Sequence, residues 1–99
     1  MSKFGDLLNS NPLVLVDFHA TWCGPCKMLS PIIQRVAKKV GKSVRVVKID
    51  VDKNQPLAGT LNVRGVPTII LYKNGKQVWR QSGVVQEREL LKIINQYSD

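Results

Sequence analysis

The stretch Val16-Asp17-Phe18-His19-Ala20-Thr21-Trp22-Cys23-Gly24-Pro25-Cys26-Lys27 joins the end of one apolar pattern to the start of another. Upstream, Leu13 to His19 reads Leu-Val-Leu-Val-Asp-Phe-His. Such a nearly unbroken apolar run, rich in β-formers, suits a strand buried on both faces. Downstream, Leu29, Ile32, Ile33, Val36, Ala37 and Val40 recur at helical spacing and make one apolar stripe. Gly41 is placed to end that helix, and Pro31 is expected to kink its early turns. The two cysteines therefore fall where a buried strand hands over to a helix N-terminus.

On either side of this junction the punctuation is regular. Residues 3 to 10 favour a short helical turn ended by Asn11-Pro12. Val44 to Val51 predicts a second strand, and Pro56 to Leu61 a short helix with Asn54 as its N-cap. Thr68 to Tyr72 predicts a third strand, which Asn74-Gly75 turns into a hairpin with Gln77 to Ser82. Glu87 to Tyr97 predicts an amphipathic helix that buries Leu90, Leu91, Ile93, Ile94 and Tyr97. The order βαβαββα sets an α/β class, with parallel pairing first and antiparallel strands added by the hairpin. Helices are expected on both faces of a mixed sheet. No linker or repeat divides the chain, so residues 1–99 are expected to form one domain.

Composition narrows the function. With 43% hydrophobic and 22% charged residues, the chain has the balance of a globular protein rather than a disordered one. Its longest apolar runs, Leu13 to Val16 and Val66 to Tyr72, fall far short of the roughly 20 residues that cross a bilayer. No membrane association is expected. Met1 to Asp6 lacks the charged-then-apolar layout of a secretion signal, which makes the cytoplasm the expected compartment. The net charge is +8, and between Phe18 and Ile49 stand Lys27, Arg35, Lys38, Lys39, Lys42, Arg45 and Lys48 with no acid among them. A basic run of this kind fits an acidic partner or a nucleic acid. Arg35, Lys38, Lys39 and Lys42, however, share one helical face, and no interleaved aromatics accompany them. A solvated helix face is the reading we adopt, with no nucleic-acid partner.

Cys23 and Cys26 are the only cysteines and His19 the only histidine. A structural zinc site wants about four ligands, which this set cannot supply. A structural disulfide between residues three apart would staple almost nothing, so the pair points to redox chemistry. At a helix N-terminus the first thiol meets unsatisfied N–H groups and the positive end of the dipole. Both favour the thiolate, the species that attacks a disulfide. Cys26, one turn on, is near enough to close a disulfide with it. Gly24 is expected to permit the tight turn, and Pro25 at an early helical position has no N–H to satisfy. Asp17 interrupts an apolar strand, where burial should raise its pKa. A raised carboxylate beneath a dithiol suits proton exchange with Cys26, while a simple pairing with Lys48 explains its burial as well.

Trp22-Cys23-Gly24-Pro25-Cys26-Lys27 resembles the active-site motif of the thioredoxin family residue for residue. Asp17 matches that family's buried aspartate, and Lys48 the lysine beside it. Arg64-Gly65-Val66-Pro67-Thr68 matches its cis-proline segment, and Lys73-Asn74-Gly75 and Gly83 fit its later glycines. The resemblance covers roughly residues 13 to 98. It implies a three-layer fold and a dithiol reductase in which Cys23 attacks and Cys26 resolves, with Asp17 and Lys48 assisting. A substrate would lie against Trp22, Gly24, Pro25, Val66, Pro67 and Gly83, with the backbone of Val66 exposed by a cis bond to Pro67. Asp52 matches a residue that accepts a hydrogen bond from the Trp22 indole, though a plain loop acid is an equal alternative. No bound metal or organic cofactor is implied. Electrons would come from NADPH through a flavin-dependent thioredoxin reductase, and the partners would be that reductase and disulfide-containing proteins. A monomer is expected. A docking or structural subunit on the same fold is the alternative, against which the intact cysteine pair argues.

Two departures stand out. His19 occupies a position where bacterial members commonly carry tryptophan. It is expected to share a strand face with Asp17, either as a charged group near the thiolate or as a neutral, space-filling ring. The family's first strand also has no counterpart in the pattern, which would leave Val44 to Val51 at a sheet edge guarded by Arg45 and other charges.

Overall fold

The computed structural model describes residues 3–98. Its elements are α1 (Lys3–Leu8), β1 (Leu13–His19), α2 (Gly24–Val40), a 3-10 turn (Gly41–Ser43), β2 (Arg45–Asp50), α3 (Gln55–Thr60), β3 (Thr68–Lys73), β4 (Lys76–Ser82) and α4 (Glu87–Tyr97). The four strands form one mixed sheet in the order β2-β1-β3-β4. β1 pairs parallel with β2 and antiparallel with β3, and β3 pairs antiparallel with β4. The order expected from sequence holds, and β2 is an edge strand.

The sheet separates two apolar clusters, and the period of two along β1 decides which residue enters which. Leu13 and Leu15 face α2 and α4, packing with Leu29, Ile32, Ile33, Val36, Leu90 and Ile94. Val14, Val16 and Phe18 face the other way, toward α1 and α3. Both sets are buried, which is why β1 carries no apolar–polar alternation. Asp17 falls in phase with Leu13 and Leu15, so the one carboxylate of the strand is set beneath α2. On β4, Val78 and Trp79 both pack on the first cluster although they are consecutive. The register shifts between Leu71 and Tyr72, and the extra residue Val78 is a β-bulge.

The turns behave as their residues dictate, with three differences. Asn74 and Gly75 both have positive φ, the conformation of a two-residue hairpin turn. Gly41 caps α2 at φ 56°, and its N–H bonds the carbonyl of Ala37. α2 runs through Pro31 as one helix, so the proline removes a ladder N–H without ending the element. Asn54 stands at the N-cap of α3 but does not cap it, because its amide donates to the Asp50 carbonyl instead. Gly24 is the first residue of α2, is not among the positive-φ glycines, and a methyl there would meet nothing within 4 Å. The turn therefore does not require glycine; a small residue at that position leaves the approach to the cysteines open.

Candidate active site

Cys23 and Cys26 are joined in a disulfide with Cα atoms 5.3 Å apart. The junction between β1 and α2 creates the pair. Cys23 is the extended N-cap residue of α2, and its Sγ accepts the Cys26 N–H at 3.1 Å. A sulfur in the N-cap role takes a hydrogen bond that Ser or Asp usually receives, at the end of the helix that favours negative charge. Pro25, in the first turn, adds no unsatisfied donor. Both cysteines are buried, packed with Ala20 and with the partly buried Val51 and Val66.

The segment before β3 meets this junction. The Val66–Pro67 peptide is cis, as the resemblance implied. The Val66 carbonyl oxygen lies 3.5 Å from Cys23 Sγ. Gly83, at φ 93°, donates its N–H to the Pro67 carbonyl at 2.8 Å, and Thr68 Oγ1 donates to the Gly65 carbonyl at 2.7 Å. Residues far apart in sequence thus form one surface around the disulfide. Trp22 stands at its rim, 69% exposed, with its indole N–H donating to Asp52 Oδ2 at 2.7 Å. Of the two readings of Asp52, the structure shows the hydrogen-bonded one.

On the α2 side of β1 lies Asp17, 1% exposed, with neither carboxylate oxygen hydrogen-bonded. Burial pushes its pKa up, and the positive charge of Lys48 and the nearby His19 only partly oppose this. Lys48 is its register partner on β2, but no ion pair forms between them. The Lys48 ammonium donates to Ser30 Oγ at 2.9 Å instead. The simple pairing of Asp17 with Lys48 is therefore corrected. The carboxylate is isolated, and the lysine acts on it only through space.

The remaining wall of the site is a pocket of about 250 Å³ lined by His19, Thr21, Cys26, Lys27, Ser30 and Lys48, with Ala20 at its base. Ser30 was not singled out from sequence. Its signal was there: it follows Cys26 by four residues and so shares its helical face. Among the described residues no group of three or more His, Cys, Asp or Glu is arranged to hold a metal ion. The basic face of α2 is in part engaged within the fold: Arg35 Nε and Lys39 Nζ both bind the Glu87 carboxylate at the start of α4.

A helix-capping cysteine one turn from a second cysteine, with an isolated carboxylate on the strand that leads to them, defines a thiol–disulfide oxidoreductase. The comparisons with known proteins agree. The thioredoxin family model matches residues 1–96. The thioredoxin of Rickettsia felis is 44% identical over 90 residues, covering 91% of this chain and 86% of the relative. That of Haemophilus influenzae is 41% identical over 91 residues, covering 92% and 85%. Among solved structures, a thioredoxin variant from Halobacterium salinarum superposes with a TM-score of 0.91 at 41% identity, covering 100% of this chain and 86% of that one. Oxidized mitochondrial thioredoxin 3 from Saccharomyces cerevisiae gives 0.86 at 35%, covering 95% and 87%. The chain belongs to the thioredoxin family and is a protein thiol–disulfide oxidoreductase.

Proposed function

We propose that the chain works as a reductant of disulfides in protein substrates, with Cys23 as the attacking thiol and Cys26 as the resolving thiol. The observation that carries this assignment is the Cys26 N–H bond to Cys23 Sγ at the N-terminus of α2. It stabilises negative charge on Cys23. The Cys23 thiolate attacks one sulfur of the substrate disulfide, and the other substrate sulfur leaves as thiolate. Cys26 then gives its proton to Asp17 and attacks Cys23 Sγ, which expels the second substrate thiolate. The Cys23–Cys26 disulfide that remains holds the two electrons' worth of oxidation taken from the substrate.

The surroundings divide the remaining work. Lys48, held by Ser30, restrains the rise in the Asp17 pKa so that the carboxylate is available as a base. Trp22, Gly24, Pro25, Val66, Pro67 and Gly83 form the substrate contact surface, with the backbone of Val66 pairing with an extended peptide. We assign the return of electrons to NADPH through a flavin-dependent thioredoxin reductase. We place the chain in the cytoplasm as a one-domain monomer. No described helix is long and apolar enough to cross a membrane. Dithiothreitol-driven reduction of insulin tests the activity: precipitation of the B chain above the dithiothreitol baseline is expected. A rate equal to that baseline would instead support the docking-subunit alternative.

A further inference from the structure

Asp17 can exchange a proton with Cys26, but it has no path of its own to water. It is 1% exposed and neither oxygen has a hydrogen-bond partner. A pocket of about 250 Å³ opens beside α2, bounded by Cys26, Lys27 and Ser30 of α2, Lys48 of β2, and His19. His19 ends β1, two residues beyond Asp17 and on the same strand face. The charged and titratable groups around it are Asp17 on β1, Lys48 and the His19 register partner Asp50 on β2, and Lys27 and Cys26 on α2. Of the polar groups lining the pocket, the two ammonium groups can only donate hydrogen bonds. Lys48 is in addition committed to Ser30 Oγ. A neutral imidazole has one donor and one acceptor nitrogen, so it can take a proton on one side and release another from the opposite side.

We propose that His19 is the proton outlet of the site, a positioning residue whose imidazole carries the proton between Asp17 and the solvent-open pocket. This rests on the reading of Asp17 as the base for Cys26. In the resolving step the Cys26 S–H proton moves to the Asp17 carboxylate as the Cys26–Cys23 bond forms and the Cys23–substrate bond breaks. The Asp17 carboxyl then passes that proton to His19, and the resulting imidazolium gives it to water, restoring the carboxylate with no movement of electrons. Residues two apart on a strand have Cα atoms about 6.6 Å apart and side chains on one face, so the imidazole and the carboxyl are neighbours on the α2 side of the sheet. When the reductase later restores the dithiol, the same route runs in reverse.

The test is single-turnover release of thiol from a disulfide peptide across the imidazole range, about pH 5.5 to 8. His19→Gln is expected to slow the resolving step about tenfold, less than the hundredfold or more of a direct acid or base. It should also remove one ionisation from the pH profile. His19→Ala should regain rate when free imidazole is added. Asp17→Asn, run alongside, separates the two ideas. If Asp17→Asn leaves the step unchanged, the assignment of Asp17 is wrong and the outlet falls with it. If Asp17→Asn slows the step while His19→Gln keeps the parental rate and profile, only the outlet is overturned. Uniform slowing with an unchanged profile and no imidazole rescue overturns it as well, leaving His19 as packing. A measurement on the unmodified ring guards against misfolded variants. Because His19 is the only histidine, its Cε1–H resonance is unambiguous, and its pH curve should carry an inflection from Asp17 that vanishes in Asp17→Asn. A curve identical in the two proteins would overturn the proposal.

Discussion

Asp17 is the residue at which stability and chemistry pull in opposite directions. A carboxylate sealed under α2 without hydrogen bonds is costly when charged, and burial raises its pKa above the ordinary 3.8. Between 3.8 and the raised native value the folded chain holds a proton that the unfolded chain has lost, so stability falls as pH rises through that window. Asp17→Asn should therefore stabilise the fold at neutral pH, on the order of a few kcal/mol. The gain should disappear below the ordinary carboxylate range, where both forms are uncharged. Denaturant midpoints across that range check this, and a variant less stable at neutral pH would show that Lys48 compensates the charge after all. The cysteines give a second prediction. Cys23→Ser should lose all reduction above the dithiothreitol baseline, while Cys26→Ser should accumulate mixed disulfides through Cys23. Mass spectrometry of the trapped species reads the outcome; turnover by Cys26→Ser at the parental rate would overturn the assignment of Cys26 as resolving thiol, and mixed disulfides trapped on Cys26 in Cys23→Ser would reverse the two roles.

The way α2 and α4 are fastened together makes a third prediction. Glu87 opens α4, where a negative charge is favoured by the helix dipole. Hydrogen bonds from Lys39 and then Arg35 lower its pKa below the usual 4.5. The stabilisation from this clamp is fully present above that unfolded value and is lost as pH falls through the lowered native one. Glu87→Gln should produce a small drop in unfolding midpoint at neutral pH that shrinks with added salt. No drop at low ionic strength would mean that the apolar contact between α2 and α4 holds the pair unaided. Gly83 after β4 makes a fourth. Its φ of 93° is one that a side chain rarely adopts, so Gly83→Ala should destabilise by about 1–2 kcal/mol although a methyl would find open space. The Gly83 bond to the Pro67 carbonyl ties this cost to the proposed substrate surface, so peptide affinity should weaken in the same variant.

Across the molecule, the sheet order places β2 at an edge, and a net charge of +8 opposes association between copies. Arg45, Lys48 and Asp50 interrupt the apolar residues Val46, Val47 and Ile49 along that edge. Arg45 is exposed at the start of the strand, and its charge would have to be desolvated by a strand pairing there. Arg45→Val would leave four consecutive valines at positions 44 to 47 and should give concentration-dependent self-association, read by sedimentation velocity. A variant that sediments as the parent does would show that the edge is protected by something other than the charge of Arg45.

Local pattern was enough for the elements and for the reacting pair. Spacing alone placed β1, the stripe of α2 and the Asn74-Gly75 turn, because apolar periodicity and turn chemistry act within a few residues. It put Cys23 at a helix N-terminus for the same reason. The resemblance supplied the cis bond at Pro67 and the pairing of Trp22 with Asp52, neither of which composition or periodicity could reach. Whether Asp17 is paired or alone depended on where the Lys48 side chain ends, and that was set by Ser30 on a different element. The approach of Val66 to Cys23, across 43 residues of sequence, likewise came from packing the segment before β3 against the helix N-terminus. Contacts between distant segments arise from shape and burial in the assembled core, and no local rule encodes them.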